Sequence, residues 1–235
     1  HRWRCVCPVN NSAFTLAIAA ESIAAAGRVL QLLGTPPDPA HGNWSALSNR
    51  SRLNIPFNTT LRYHPEFEGY VQGTAINQAD TQFMQYPLQF SMPADVAAND
   101  MSLYDQALAD HGPSMTWPFF AASYLQLASR PELASQRPMY LAKAAAEFEK
   151  SYNYFLPRFY SFVETANCGP KWEGHGSGSM CSPHFVTGMG GFVQGIVNGY
   201  GGVRFTKSDS MALTPNLPPN TTALTISGVH FRGAS

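Results

Sequence analysis

Apolar residues recur at helical spacing from Ala13 to Leu33. Asn11-Ser12 precede the run, and Gly34 and Pro36-Pro37 stop it. This predicts a helix with a polar N-cap and a Gly/Pro exit. Its small stripe, Ala17, Ala20 and Ala24, would let another helix pack closely. Thr35 to Thr60 is rich in Pro, Asn and Ser and is expected to be loop. Leu61 to Tyr70 reads as extended, with Tyr63, Phe67 and Tyr70. Ala75 to Tyr86 is apolar but irregular, and Pro87 ends it. Pro93, at a first helical position, opens a helix through about Asp110, with Ala97, Met101, Tyr104 and Leu108 inward. Gly112-Pro113 break it. Ser114 to Leu127 carries Trp117, Phe119, Phe120 and Tyr124, and a helix apolar on most sides is buried. Pro138 opens another helix, through Lys150 toward Phe155, and the Pro157 region ends or kinks it. Phe185 to Tyr200 is apolar and punctuated by Gly188, Gly190, Gly191 and Gly195. Those glycines cost helix propensity, so tight packing must favour them. The period then changes to two, predicting strands at Val203–Phe205 and Ala223–Phe231 with a turn at Leu217-Pro218-Pro219-Asn220.

Helix hairpins followed by a small β segment suggest a bundle or an α/α toroid. A domain boundary is expected near Gly201-Gly202. The chain's 235 residues are 44% hydrophobic and only 13% charged, a globular composition. With zero net charge there is no electrostatic footprint for nucleic acid. No stretch approaches eighteen uninterrupted apolar residues, so no membrane span is expected. His1 to Cys7 show no signal-peptide pattern.

Two features nevertheless point to a secreted or lysosomal/vacuolar chain. Five N-x-S/T sequons occur, at Asn10, Asn43, Asn49, Asn58 and Asn220, three of them grouped in the polar stretch before Leu61. Four cysteines fit an oxidising compartment. Cys168 and Cys181 are the favoured disulfide pair, and closing so short a loop contributes about 3 kcal/mol in the chain-entropy model. Cys5 and Cys7 are too close to bond each other comfortably, and no zinc pattern surrounds them. No metal or cofactor motif occurs.

Between Cys168 and Cys181 lies a Gly/Ser-rich loop with Trp172, Glu173 and His175. Glycines let a backbone approach a ligand closely. An indole is a platform for a sugar ring. A Glu beside it can act as acid, base or nucleophile. The plainer reading of these residues is a flexible surface loop pinned by a disulfide.

Four blocks together resemble glycoside hydrolase family 65, which holds acid trehalases, disaccharide phosphorylases and glucosylgalactosylhydroxylysine glucosidases. They are Val9-Asn10-Asn11-Ser12-Ala13-Phe14-Thr15; Tyr63-His64-Pro65-Glu66-Phe67-Glu68-Gly69-Tyr70 with Ile76-Asn77-Gln78-Ala79-Asp80 and Tyr86-Pro87; Gly112-Pro113-Ser114-Met115-Thr116-Trp117; and Trp172-Glu173 with Phe185-Val186-Thr187-Gly188-Met189-Gly190-Gly191-Phe192. They run from Val9 to about Phe205. The resemblance implies a mainly α fold. Residues 1–200 would be the C-terminal portion of an (α/α)6 barrel, and residues 201–235 the start of a small β domain.

The resemblance also implies an inverting mechanism, with an acid and a base roughly 6.5–9.5 Å apart. It places the general base at Glu173, a residue that the phosphorylase branch lacks. Gln78 matches one of the family's two sugar-holding residues. Asn77 stands where the family has Lys, losing charge and reach. Trp172 and His175 would complete the substrate contacts. Asp80 would orient its segment. Trp117 and Met115 read as core and His184 as structural, while His64, like His175, could touch sugar hydroxyls or simply be satisfied by a backbone carbonyl. Asp95, Asp100, Asp105 and Asp110 read as solvated helix faces.

The family's general acid would fall near Trp3-Arg4, and no Asp or Glu occurs before Glu21. The chain therefore reads as part of a longer α-glucoside hydrolase, acting on glucosyl-galactosyl-hydroxylysine or a trehalose-like disaccharide. Its partner would be the missing N-terminal part of the same catalytic domain. The alternatives are a non-catalytic sugar-binding or scaffold remnant of that fold, and a disaccharide phosphorylase.

Overall fold

The computed structural model describes residues 9–36, 43–78, 80–109, 112–153, 155–156, 161–165, 184–206 and 210–233. They are mainly helical. Two compact units are present: residues 1–74 with 80–103, and residues 75–79 with 104–235.

In the first unit, α1 (Ala13–Leu32) begins where Ser12 Oγ accepts from the Thr15 amide at 3.5 Å. It ends at Gly34, whose φ of +62° suits glycine. Ala13, Ala17 and Ala20 are completely buried. The helix packed on this stripe is α2 (Trp44–Leu53), capped by Asn43 Oδ1 on the Ala46 amide at 3.0 Å. Ser48 Oγ donates to the Ala20 carbonyl at 2.9 Å, and Arg52 pairs with Glu21. The loop expected over Thr35 to Thr60 is therefore half wrong. The residues α2 turns toward α1 are polar, so no apolar period announced it.

By length and composition α1 is apolar enough to cross a membrane, with a mean hydropathy of 1.5 over eighteen residues. That average outweighs the charges of Glu21 and Arg28, which interrupt the run. Leu61 to Tyr70 is not extended. Apart from the bridge between Asn58 and Tyr63 it is a series of turns, through Arg62 at φ +52° and Gly69 at φ +83°. A 3₁₀ turn follows at Thr81–Met84. Met84 packs with Ala13 and Ala17, surrounded by Phe14, Ile55, Leu88 and Phe90. Helix α3 (Ala94–Ala107) carries the chain onward.

The second unit is built on α4 (Thr116–Ala128), buried along nearly its whole length, and α5 (Arg137–Asn153). Tyr124 stacks on Tyr140 with centroids 6.2 Å apart. Helix α6 (Val186–Gln194) leads into a wider π turn, Gly195–Tyr200. A methyl group at Gly195 would stand 2.9 Å from the Phe148 ring, so its glycine is required by close approach. Phe148 in turn stacks on Phe192 at 5.2 Å.

Two small antiparallel pairs complete the unit. β1 (Phe155–Leu156) pairs with β2 (Ser161–Phe162), and β3 (Val203–Phe205) with β4 (Met211–Leu213). The strand expected over Ala223 to Phe231 does not form. Leu224, Ile226 and Val229 line a cleft with Val203, Met211 and Leu213. The period of two in that stretch marks a covering face, not a ladder.

Candidate active site

The sequence blocks come together in two groups, one in each unit. In the first unit, the block before α1 meets the block around Glu66. Ala13, at the first helical position, has an amide with no partner inside its own helix. It donates to the Glu66 carbonyl at 3.0 Å. The Glu68 amide donates to the Asn10 carbonyl at 3.1 Å, and Asn11 Nδ2 donates to Glu68 Oε2 at 3.0 Å.

The Glu66 side chain turns the other way. It accepts from Thr81 Oγ1 at 2.6 Å and hydrogen-bonds the Asp80 carboxyl. Burial lifts Glu66 to about 7, the Thr81 hydroxyl opposes that rise, and the Asp80 charge adds to it. Two carboxyl groups in contact favour a shared proton, as like charges there disfavour double ionisation. Tyr70, chiefly through burial and then through the Glu66 charge, is lifted to about 12.

Beside this pair, His64 and Asp100 form a second buried couple. The His64 amide donates to Asp100 Oδ1 at 2.7 Å, and its ring Nδ1 meets Oδ2 at 2.8 Å. Asp100 is completely buried, not a solvated helix face as expected. It belongs to the inward stripe of Val96, Ala97, Met101 and Tyr104, where a carboxyl group is tolerated because it is hydrogen-bonded. Burial pushes its carboxyl up, and His64 opposes the shift. Asp95, by contrast, is exposed and pairs with Arg62. Asp105 is also no free surface carboxylate: Lys143 Nζ and the Tyr124 hydroxyl both donate to its Oδ2 at 2.7 Å. Asp110 lies outside the described residues.

In the second unit, the pair read as sugar-binding sits on a clamped segment. The Ile76 amide donates to the Ala107 carbonyl, and the Ala109 amide to the Ile76 carbonyl, both at 2.9 Å. Asn77 is exposed and Gln78 half-buried. The Gly112 backbone lies directly against the Asn77 carbonyl. Two residues on, the Ser114 amide donates to the Glu164 carbonyl at 2.7 Å, and Ser114 Oγ to the Val163 carbonyl at 2.8 Å. On its other side Ser114 Oγ abuts Gly188 of α6. The Phe185 amide returns to the Phe162 carbonyl at 2.9 Å.

The second, third and fourth blocks are thus adjacent around Asn77, Ser114 and Gly188. Trp117 is buried core as expected, with Lys150 Nζ over its ring at 4.8 Å. His184 pairs with Ser161 at 3.2 Å.

Glu173, Trp172, His175, Cys168 and Cys181 lie outside the described residues. Four of the five sequon asparagines, Asn10, Asn43, Asn49 and Asn220, are exposed, and Asn58 is half-buried. Asn43 caps α2, and Asn58 Oδ1 accepts from the Thr60 and Leu61 amides. Sequence reasoning missed the Glu66–Asp80 contact and the close approach of Gly112 to Asn77. Both require neighbours distant in sequence to be known.

No protein-family model matches the chain. Curated relatives do. It is 33% identical over 96% of its length to a protein-glucosylgalactosylhydroxylysine glucosidase of Danio rerio, of which it covers 30%. It is 29% identical over 94% of its length to a kojibiose hydrolase of Mucilaginibacter mallensis, of which it covers 29%. These relatives are glycoside hydrolases by name, and they bear out the resemblance read from the four blocks. The chain spans under a third of their length. Among solved structures, a putative kojibiose phosphorylase from human microbiome aligns with a TM-score of 0.57 at 15% identity, over 90% of this chain and 30% of that one. That likeness is one of fold.

Proposed function

We propose that this chain is part of the catalytic region of an inverting α-glucoside hydrolase of the family 65 type. The observation that carries the reading is the adjacency of its blocks around Asn77, Ser114 and Gly188, in a chain whose relatives are hydrolases. Residues 1–200 then contribute to an (α/α)6 barrel, and residues 201–235 begin the β domain. Glu173 is the general base. It draws a proton from water, which attacks the anomeric carbon from the face opposite the leaving group. The general acid, which protonates the leaving oxygen, comes from outside these residues. Gln78 and Asn77 hold the glucose hydroxyls, with Trp172 and His175 completing the pocket. Cys168 and Cys181 close the loop that carries Glu173.

The substrate class is a glucosyl-disaccharide unit such as glucosyl-galactosyl-hydroxylysine. The sequons and the cysteine pair support a secreted or lysosomal-type location. One observation favours a second reading. Asn77, in place of a lysine, weakens the hold on a sugar, as expected of a non-catalytic remnant.

The test is proton NMR of the first-formed anomer when the complete protein meets an α-glucoside. β-Glucose, with no dependence on phosphate, supports the reading. α-Glucose contradicts inversion, glucose 1-phosphate indicates a phosphorylase, and no product at all favours the remnant.

A further inference from the structure

We infer that Gly112 is a positioning residue for the Asn77–Gln78 pair, setting the affinity for the sugar through direct backbone contact. The inference rests on the reading of that pair as sugar-binding. A methyl group at Gly112 would stand 2.6 Å from the Asn77 carbonyl oxygen and 3.1 Å from the Ala109 carbonyl oxygen. Both are closer than ordinary packing allows, so one side must move.

The Gly112 side is held. Its amide donates to Ala109 at 2.9 Å, and Ser114, buried to 1% exposure, is fixed to Val163 and Glu164 by two hydrogen bonds. On the opposite side Ile76 is held by its two bonds to Ala107 and Ala109, and it is buried. The exposed residue Asn77 is the part left to yield. Its carbonyl shares one planar peptide with the Gln78 amide. Pushing that oxygen aside therefore tilts the whole peptide plane and swings the side chains of both residues together. The third sequence block is in this way coupled mechanically to the second: glycine at 112 is what lets Asn77 and Gln78 present one fixed geometry.

The test uses the complete protein and an α-glucoside. Gly112→Ala is expected to raise KM about five- to tenfold, the cost of one lost hydrogen bond to the sugar, with kcat changed by no more than about threefold, as for lost uniform binding. In an Asn77→Ala/Gln78→Ala background the same substitution is expected to raise KM no further, because both side chains it misplaces are gone. A merely structural glycine would lower stability equally in both backgrounds and leave KM unmoved. An unchanged KM, or an equal rise in both backgrounds, overturns the inference. Should Gly112→Ala not fold, Ile76→Val decides. It keeps the two backbone bonds but loosens the seat of the same segment, so a smaller rise that vanishes in the Asn77→Ala/Gln78→Ala background supports the inference and an unchanged KM overturns it. If Asn77→Ala/Gln78→Ala alone leaves KM unaltered, the sugar-binding reading fails and takes the inference with it.

Discussion

Asp100 grips His64 at two points, its backbone amide at 2.7 Å and its ring Nδ1 at 2.8 Å, with the carboxylate completely buried. The couple ties the turns after Asn58 to the middle of α3. Breaking one half of a buried pair strands the other half without a partner. Asp100→Ala takes the acceptor from both the amide and the ring Nδ1 of His64 and is expected to destabilise the fold by about 1–3 kcal/mol for each group left unsatisfied. Asp100→Asn keeps shape and one acceptor and should cost clearly less. Urea denaturation followed by circular dichroism measures both. Equal, small effects would show that the pair is not the anchor described.

Glu66 makes stability depend on pH in a stated direction. Its ordinary value is 4.5, and in the fold burial lifts it to about 7. The folded state thus holds the proton more tightly than the unfolded chain. The resulting stabilisation is full below about pH 4.5 and is lost as pH rises through about 7. Melting temperature should fall across that window. Glu66→Gln, a permanent mimic of the neutral acid, should flatten the fall. An identical slope in the variant would assign the dependence to other groups.

Gln82 is completely buried, and neither of its amide atoms has a hydrogen-bond partner among the described residues. An unpaired buried amide costs about 1–3 kcal/mol. Gln82→Met keeps the volume and removes both polar atoms, so it should raise the denaturation midpoint by a corresponding amount. A lower midpoint would mean that the amide is satisfied in solution.

The apolar helices α1 and α4 were legible because their periodicity and stops agree, and tight packing at Gly195 was legible from its cost to a helix. Helix α2 was not, since Ser48 and Arg52 face α1 with polar groups. Asp100 lies in register with Ala97, Met101 and Tyr104, so its position was legible. A charge on that stripe was nonetheless read as outward, because the His64 partner stands 36 residues away. At the site, residue types and order pointed to the blocks, whereas their adjacency through Ser114 and Gly112 depends on tertiary approach. The Trp172–Glu173 reading rests on composition and resemblance.

The proposed chemistry rests most heavily on Glu173, and single-turnover kinetics of Glu173→Gln in the complete protein test it most directly. Gln retains shape and hydrogen bonding but cannot take the proton from water. The expected result is a fall in the rate of the chemical step of ~10²–10⁴-fold with little change in substrate affinity, and formation of the β-glycosyl azide when azide is given to Glu173→Ala, whose shortened side chain leaves it room. A fall of less than about tenfold, with no azide product, would contradict Glu173 as the base.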